Sequence, residues 1–171
     1  MFVEIINHMR KIFLFAINFL YILHFVGFLN IISILPFNNS TDVNYKDVTL
    51  FFWIVFIISV STYIIFLRGI NYLRISAKFL LSRKPFSEEI TSNLKKSGKH
   101  FLITGILALF LIMFIVFDSS LYAKLLLSID LIGYLFLVAP LFLMIIGMFL
   151  LIQSEMLLIA KNLKSENELT I

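Results

Sequence analysis

The chain has 171 residues, of which 61% are hydrophobic and only 14% charged, with a formal net charge of +4. A soluble domain is roughly a quarter charged, so this chain has too little polar surface to cover a water-facing globule and reads as a single-domain integral membrane protein, 1–171. The absence of cysteine excludes disulfides, thiolate metal sites and cysteine nucleophiles.

The first apolar run covers 12–35 and follows a brief amphipathic lead-in over 4–11. Crossing about 30 Å of hydrocarbon takes roughly 20 residues, and this run has them. Arg10 and Lys11 precede it as they would a signal peptide. The run is longer than a signal core, however, and Leu35-Pro36-Phe37 lacks the small-residue cleavage pattern, so it is expected to be a retained span. Asn18, His24 and Asn30 lie within it. His24 is six residues from each asparagine, about 600° of helical rotation, so the three do not share one narrow face. Each is expected to hydrogen-bond across to a neighbouring helix. The functional alternatives are pH sensing by His24 and a polar cavity lined by all three.

A connection over 36–47, PFNNSTDVNYKD, is rich in turn formers and precedes a second span at 50–67. Ser59, Ser61 and Thr62 can bond back to carbonyls of their own helix and need no partner. The next stretch, 68–100, is not a loop in composition. Asn71, Arg74, Lys78 and Ser82 recur at helical spacing, with Ile70, Leu73, Ala77, Leu80 and Leu81 on the rest of the circumference. The second helix should therefore continue past the membrane until Pro85 stops it, because the residue before a proline avoids the α region. Ser87 can cap a new helix whose first positions, Glu88 and Glu89, suit the helix dipole. That helix runs through Leu94 and Gly98 into a third span at 101–117. The expectation is an antiparallel helical hairpin over 68–100 with Lys84, Pro85 and Phe86 at its tip.

A second short connection, 118–130, leads to the fourth span at 131–152. Pro140 there removes a backbone donor and should kink the helix, and Gly133 and Gly147 permit close packing. Glu155 is the acid set immediately after this span. It is expected to fix the fourth helix to the hairpin through an ion pair with Arg68 or Arg74. An apolar stripe of Met156, Leu157, Ala160 and Leu163 carries the helix onward beside Lys161 and Lys164. The last six residues, beginning Glu166-Asn167-Glu168, read as an unstructured or extended end of the tail 161–171.

Of the fourteen lysines and arginines, twelve fall on one side of these four spans, leaving Lys46 and Lys124 on the other. The positive-inside rule then places both termini in the cytoplasm of a multi-pass protein of a bacterial inner membrane. No grouping of residues has the pattern of a metal site, a nucleophile with its base or a phosphate-cradling glycine loop, so no metal, cofactor or enzymatic activity is expected. The basic residues are explained first by anionic headgroups, then by recruitment of a cytoplasmic partner. Direct nucleic-acid binding fits poorly, because no helix free of the bilayer carries the arginines.

Two segments resemble a known family. Lys84-Pro85-Phe86-Ser87-Glu88-Glu89-Ile90 with Leu94-Lys95-Lys96-Ser97-Gly98, and the ending Ala160 to Ile171 with its Glu166-Asn167-Glu168-Leu169-Thr170-Ile171, are similar to the bacterial "domain of unknown function 2975" membrane family. The resemblance implies a four-span protein with a P-F-S-type turn after the second span, a glycine before the third and a terminal E-N-D/E-L-T-I. It carries no catalytic residues. Family members are often encoded beside a small helix-turn-helix regulator, which implies a membrane partner for a transcription factor. It also raises interest in the tail, where Leu169 and Ile171 alternate with Thr170 as in a short strand that could dock by strand addition or carboxylate capture.

The expected protein is thus all-α, with four transmembrane helices and a cytoplasmic helical hairpin. The expected partner surface consists of Arg74, Lys78, Lys84, Pro85, Phe86, Glu166, Asn167, Leu169 and Ile171, facing a small DNA-binding regulator. The alternative is a small-molecule transport or immunity role using Asn18, His24, Asn30 and the intramembrane polar environment. The oligomeric state is left open.

Overall fold

A computed structural model describes residues 2–33, 50–81, 87–117 and 130–169. Those residues form four helices: α1, Phe2–Ser33; α2, Leu50–Leu81; α3, Glu88–Phe117; and α4, Asp130–Leu169. In hydrocarbon every backbone N–H and C=O must be satisfied internally, and a helix does this within one segment. All four helices are long and apolar enough to cross a membrane, and among the described residues there is no strand.

The helices are longer than a bilayer requires. α2 has 32 residues, about 48 Å at 1.5 Å per residue, and α4 has 40, about 60 Å. The polar stretches after the second span, before the third and after the fourth continue their helices without a break. The lead-in before the first span is likewise part of α1. Among the described residues α2 runs to Leu81 and α3 starts at Glu88, and the break expected at Pro85 falls on residues outside those described. Ser87 caps α3: the Ile90 amide donates to its Oγ at 3.4 Å, and the Thr91 amide to its carbonyl at 3.4 Å. The connections 34–49 and 118–129, and the hairpin tip with Lys84, Pro85 and Phe86, lie outside the described residues.

Packing follows chain order. α1 lies on α2, α2 on α3 and α3 on α4, and among the described residues no Cα of α1 comes within 8 Å of one in α3 or α4. Each neighbouring pair is antiparallel, since contacts that climb one helix descend the next. Phe66 meets Phe101 while Tyr72 meets Lys96 across α2 and α3. Gly105 meets Pro140 while Lys95 meets Glu155 across α3 and α4.

The seams differ in what makes them. Lipid tails are as apolar as leucine, so helices associate in a membrane by close van der Waals packing and hydrogen bonds. Between α3 and α4 the backbones nearly touch: a Cβ at Gly98 would lie 2.7 Å from the Gly147 carbonyl oxygen, and one at Gly105 would lie 2.7 Å from that of Pro140. Between α2 and α3, Gly69 accommodates the ring of Phe101, and the wholly buried Ser97 donates its Oγ–H to the Gly69 carbonyl at 2.8 Å. The α1–α2 seam is made of rings instead. Phe28 stacks on Tyr63 at 5.6 Å, and His24 meets Phe66 at 5.1 Å. Ile17 is the only buried side chain of α1 among those described, whereas Phe15 is 71% exposed. Apolar side chains on every other face of α1 suit a helix surrounded by lipid.

Candidate functional site

Among the described residues charged side chains gather where the last turns of α2, the first turns of α3 and the second half of α4 lie side by side. Ion pairs between described residues tie α4 to α3 there. Lys95 donates to Glu155 Oε1 at 2.9 Å, and two turns nearer the end Lys161 donates to Glu88. Both pairs are substantially exposed, so they set the azimuth of the two helices more than they stabilise the fold. The anchoring pair expected of Glu155 is therefore present, but its cation is Lys95. Arg68 and Arg74 stand on α2, and among the described residues no Cα of α2 lies within 8 Å of α4.

Arg74 faces the other way. It is half-buried, with its guanidinium carbon 5.2 Å from the centre of the Tyr21 ring on α1. The expected surface joining Arg74 to the tail is consequently divided: Arg74 packs on α1, while Glu166 and Asn167 lie exposed on α4, across α3. Lys78 is exposed on the last turns of α2. The tail itself departs from the extended end expected of it. α4 continues through Glu166, Asn167 and Glu168 to Leu169, because nothing after Ile152 breaks it and Lys161 is held on α3. Strand addition by Leu169 is incompatible with that helix, and Ile171 lies outside the described residues.

A second group at this end was not evident from spacing along the chain. Tyr72 of α2 sits 5.2 Å from the His100 ring of α3, and Lys96 Nζ lies 5.6 Å from the centre of the Tyr72 ring. His100 Nδ1 donates to the Lys96 carbonyl at 2.7 Å. The signal that brings these side chains together is the small residue beneath them: a Cβ at Gly69 would be 3.2 Å from the Cβ of His100.

A family profile described as "Protein of unknown function (DUF2975)" matches residues 37–171. The chain belongs to the DUF2975 family. The matched region begins after α1, so in this DUF2975 member the family segment holds α2, α3 and α4, the three helices joined by glycine and serine seams. No curated protein and no solved structure matches the chain.

The polar residues of α1 precede the DUF2975 segment, and no hydrogen bond joins the described side chains of Asn18 and His24. His24 Nδ1 donates to the carbonyl of Leu20 in its own helix at 2.9 Å, and the His24 ring lies against Phe66 and Tyr63. The bond that crosses the seam uses its backbone instead: Tyr63 Oη donates to the His24 carbonyl at 3.0 Å. Asn18 Oδ1 is buried without a hydrogen-bond partner among the described residues, so the cross-helix bond expected of it is not made there. The side chain of Asn30 lies outside the described residues. In α2, Ser59 and Thr62 donate to Val55 and Ile58, as the sequence leads one to expect. Among the described residues no group of three histidines or acids could hold a metal ion.

Proposed function

We propose that this protein is a non-enzymatic, multi-pass component of a bacterial inner membrane, with both termini in the cytoplasm, whose charged end holds or releases a small helix-turn-helix transcriptional regulator. The supporting observation is the charged end: twelve of fourteen lysines and arginines fall on one side of the four spans, and Lys95–Glu155 and Lys161–Glu88 join α3 to α4 there. The positive-inside rule assigns that side to the cytoplasm. The resemblance of the hairpin and tail motifs to proteins encoded beside such regulators supplies the partner class.

The described part of the proposed surface is helical and exposed, with Lys78 on α2 and Glu166 and Asn167 on α4. A photocrosslinker placed at Phe86 or Leu169 in living cells should capture a small DNA-binding protein whose operator occupancy changes when the membrane protein is deleted. Recovery of lipid adducts alone from both positions would sink the reading.

A further inference from the structure

Arg68 is the first charged residue after the second span, and Lys99 with His100 closes the polar run before the third. Gly69 and Tyr72, the neighbours of Arg68 on α2, meet His100 where α2 passes α3. Arg68 lies one turn before Tyr72 on α2, and the Tyr72 ring is flanked by His100 at 5.2 Å and by Lys96 Nζ at 5.6 Å. Gly69 and the buried Ser97 bond fix the register of the two helices directly beneath this group, so its geometry is held by the core rather than by the surface side chains.

Charge balance distinguishes this face from the α3–α4 side. Glu155 and Glu88 are engaged by Lys95 and Lys161, whereas among the described residues no ion pair joins a carboxylate to Arg68, Lys96 or Lys99. All three cations are exposed. One turn towards the centre of the membrane the surface becomes apolar: Ile64 on α2 and Ile103 on α3 are 40% and 45% exposed. An exposed cation, Lys96, held over an aromatic plate, with Arg68 one turn from that plate along α2 and apolar side chains beyond them, matches the two ends of one molecule.

We propose that this notch is a binding site for an anionic phospholipid. The Lys96 ammonium and Arg68 guanidinium take the phosphate, Tyr72 keeps Lys96 in place, and the acyl chains run along Ile64 and Ile103. Basic pockets between membrane helices suit such headgroups because each cation is attracted by the phosphate where the surrounding dielectric is low. The site opens onto hydrocarbon-facing residues, which a soluble anion would leave unused. It lies below the projecting helix ends, at the level a regulator docked on those ends would not reach. The inference stands apart from the regulator reading, and its test contains no regulator.

The test uses the full chain, purified in a nonionic detergent and titrated with phosphatidylglycerol or with phosphatidylcholine of the same chains, with bound lipid counted by native mass spectrometry. Phosphatidylglycerol should be retained preferentially, and Arg68→Gln with Lys96→Gln should weaken it on the order of tenfold. Lys11→Gln with Lys78→Gln removes the same charge at the same end of the molecule and should change retention by less than about twofold. Tyr72→Leu keeps every charge and should still weaken phosphatidylglycerol several-fold, which carries the test should the double variant fail to fold. Equal losses in the two double variants, equal retention of both lipids, or displacement of the lipid by glycerol phosphate without acyl chains would each overturn the proposal.

Discussion

Gly98 of α3 and Gly147 of α4 approach backbone to backbone: a Cβ on either would stand 2.7 to 2.8 Å from the carbonyl oxygen of the other. No rotamer change can relieve a clash with a backbone atom, so this contact sets how closely α3 and α4 can lie. The spacing of Gly98 and Gly105 by two turns extends the approach along α3, with Pro140 and Met144 filling the space opposite.

Gly98→Leu should therefore separate α3 from α4 and destabilise the protein by about 1–3 kcal/mol, the usual cost of overpacking, seen as a lower thermal midpoint in detergent. Gly27→Ala is the matched control. The nearest atom to a Cβ at Gly27 is the Tyr63 hydroxyl oxygen at 3.5 Å, an ordinary contact, so stability should hold or rise slightly. Equal loss from both substitutions would mean that the α3–α4 seam is no tighter than the α1–α2 seam.

Ser97→Ala removes the hydroxyl donated to the Gly69 carbonyl between α3 and α2, and should cost about 0.6 kcal/mol, typical of such bonds in a membrane interior. Ser59→Ala removes a hydroxyl that returns to Val55 in its own helix and should be close to neutral. The comparison is read from unfolding midpoints of the two variants. A larger effect at Ser59 would contradict the assignment of Ser97 as the bridging residue.

Lys95 and Glu155 should show a coupling of about 0.2–1 kcal/mol in a double-mutant cycle with Lys95→Gln and Glu155→Gln, shrinking as salt is added, because both side chains are about half exposed. A cycle pairing Glu155→Gln with Arg68→Gln should give no coupling. Measurable coupling to Arg68 alone would reinstate the partner that sequence spacing suggested.

Tyr63→Phe keeps the ring against Phe28 and His24 and loses only the bond to the His24 carbonyl, so the expected loss is about 0.6 kcal/mol. His24→Leu retains an apolar contact on Phe66 and should still fold. Collapse of the fold in His24→Leu, measured by gel filtration in detergent, would show that its imidazole does more than pack.

Topology is open to a direct measurement because the chain has no cysteine. Lys84→Cys and Lys46→Cys should react with a membrane-impermeant maleimide from opposite faces, Lys84→Cys only after the cytoplasmic face is opened. Labelling of both from the outside of intact cells would reverse or abolish the proposed orientation.

Much of the architecture was legible along the chain because it rests on local or compositional physics. Hydrocarbon demands helices, the runs of apolar residues have the required length, and Ser87 caps α3. The helical continuation of α2 past the second span follows from spacing alone. The tail departs from the extended end its sequence suggests, since Leu169 beside Ile171 favours a strand only if the helix before it has ended, and α4 continues to Leu169.

What the sequence by itself determined is therefore that four apolar helices exist, where the charges lie along them, and that Ser87 caps α3. Tertiary structure alone decided how each helix is rotated about its axis: that Glu155 meets Lys95, that Arg74 turns to Tyr21, and that Tyr72 joins Lys96 and His100. The reason is physical. A helix that is apolar on nearly every face carries no polar stripe to say which side is inside, so its rotation is set by where small residues such as Gly69, Gly98 and Gly147 let a neighbouring backbone come close.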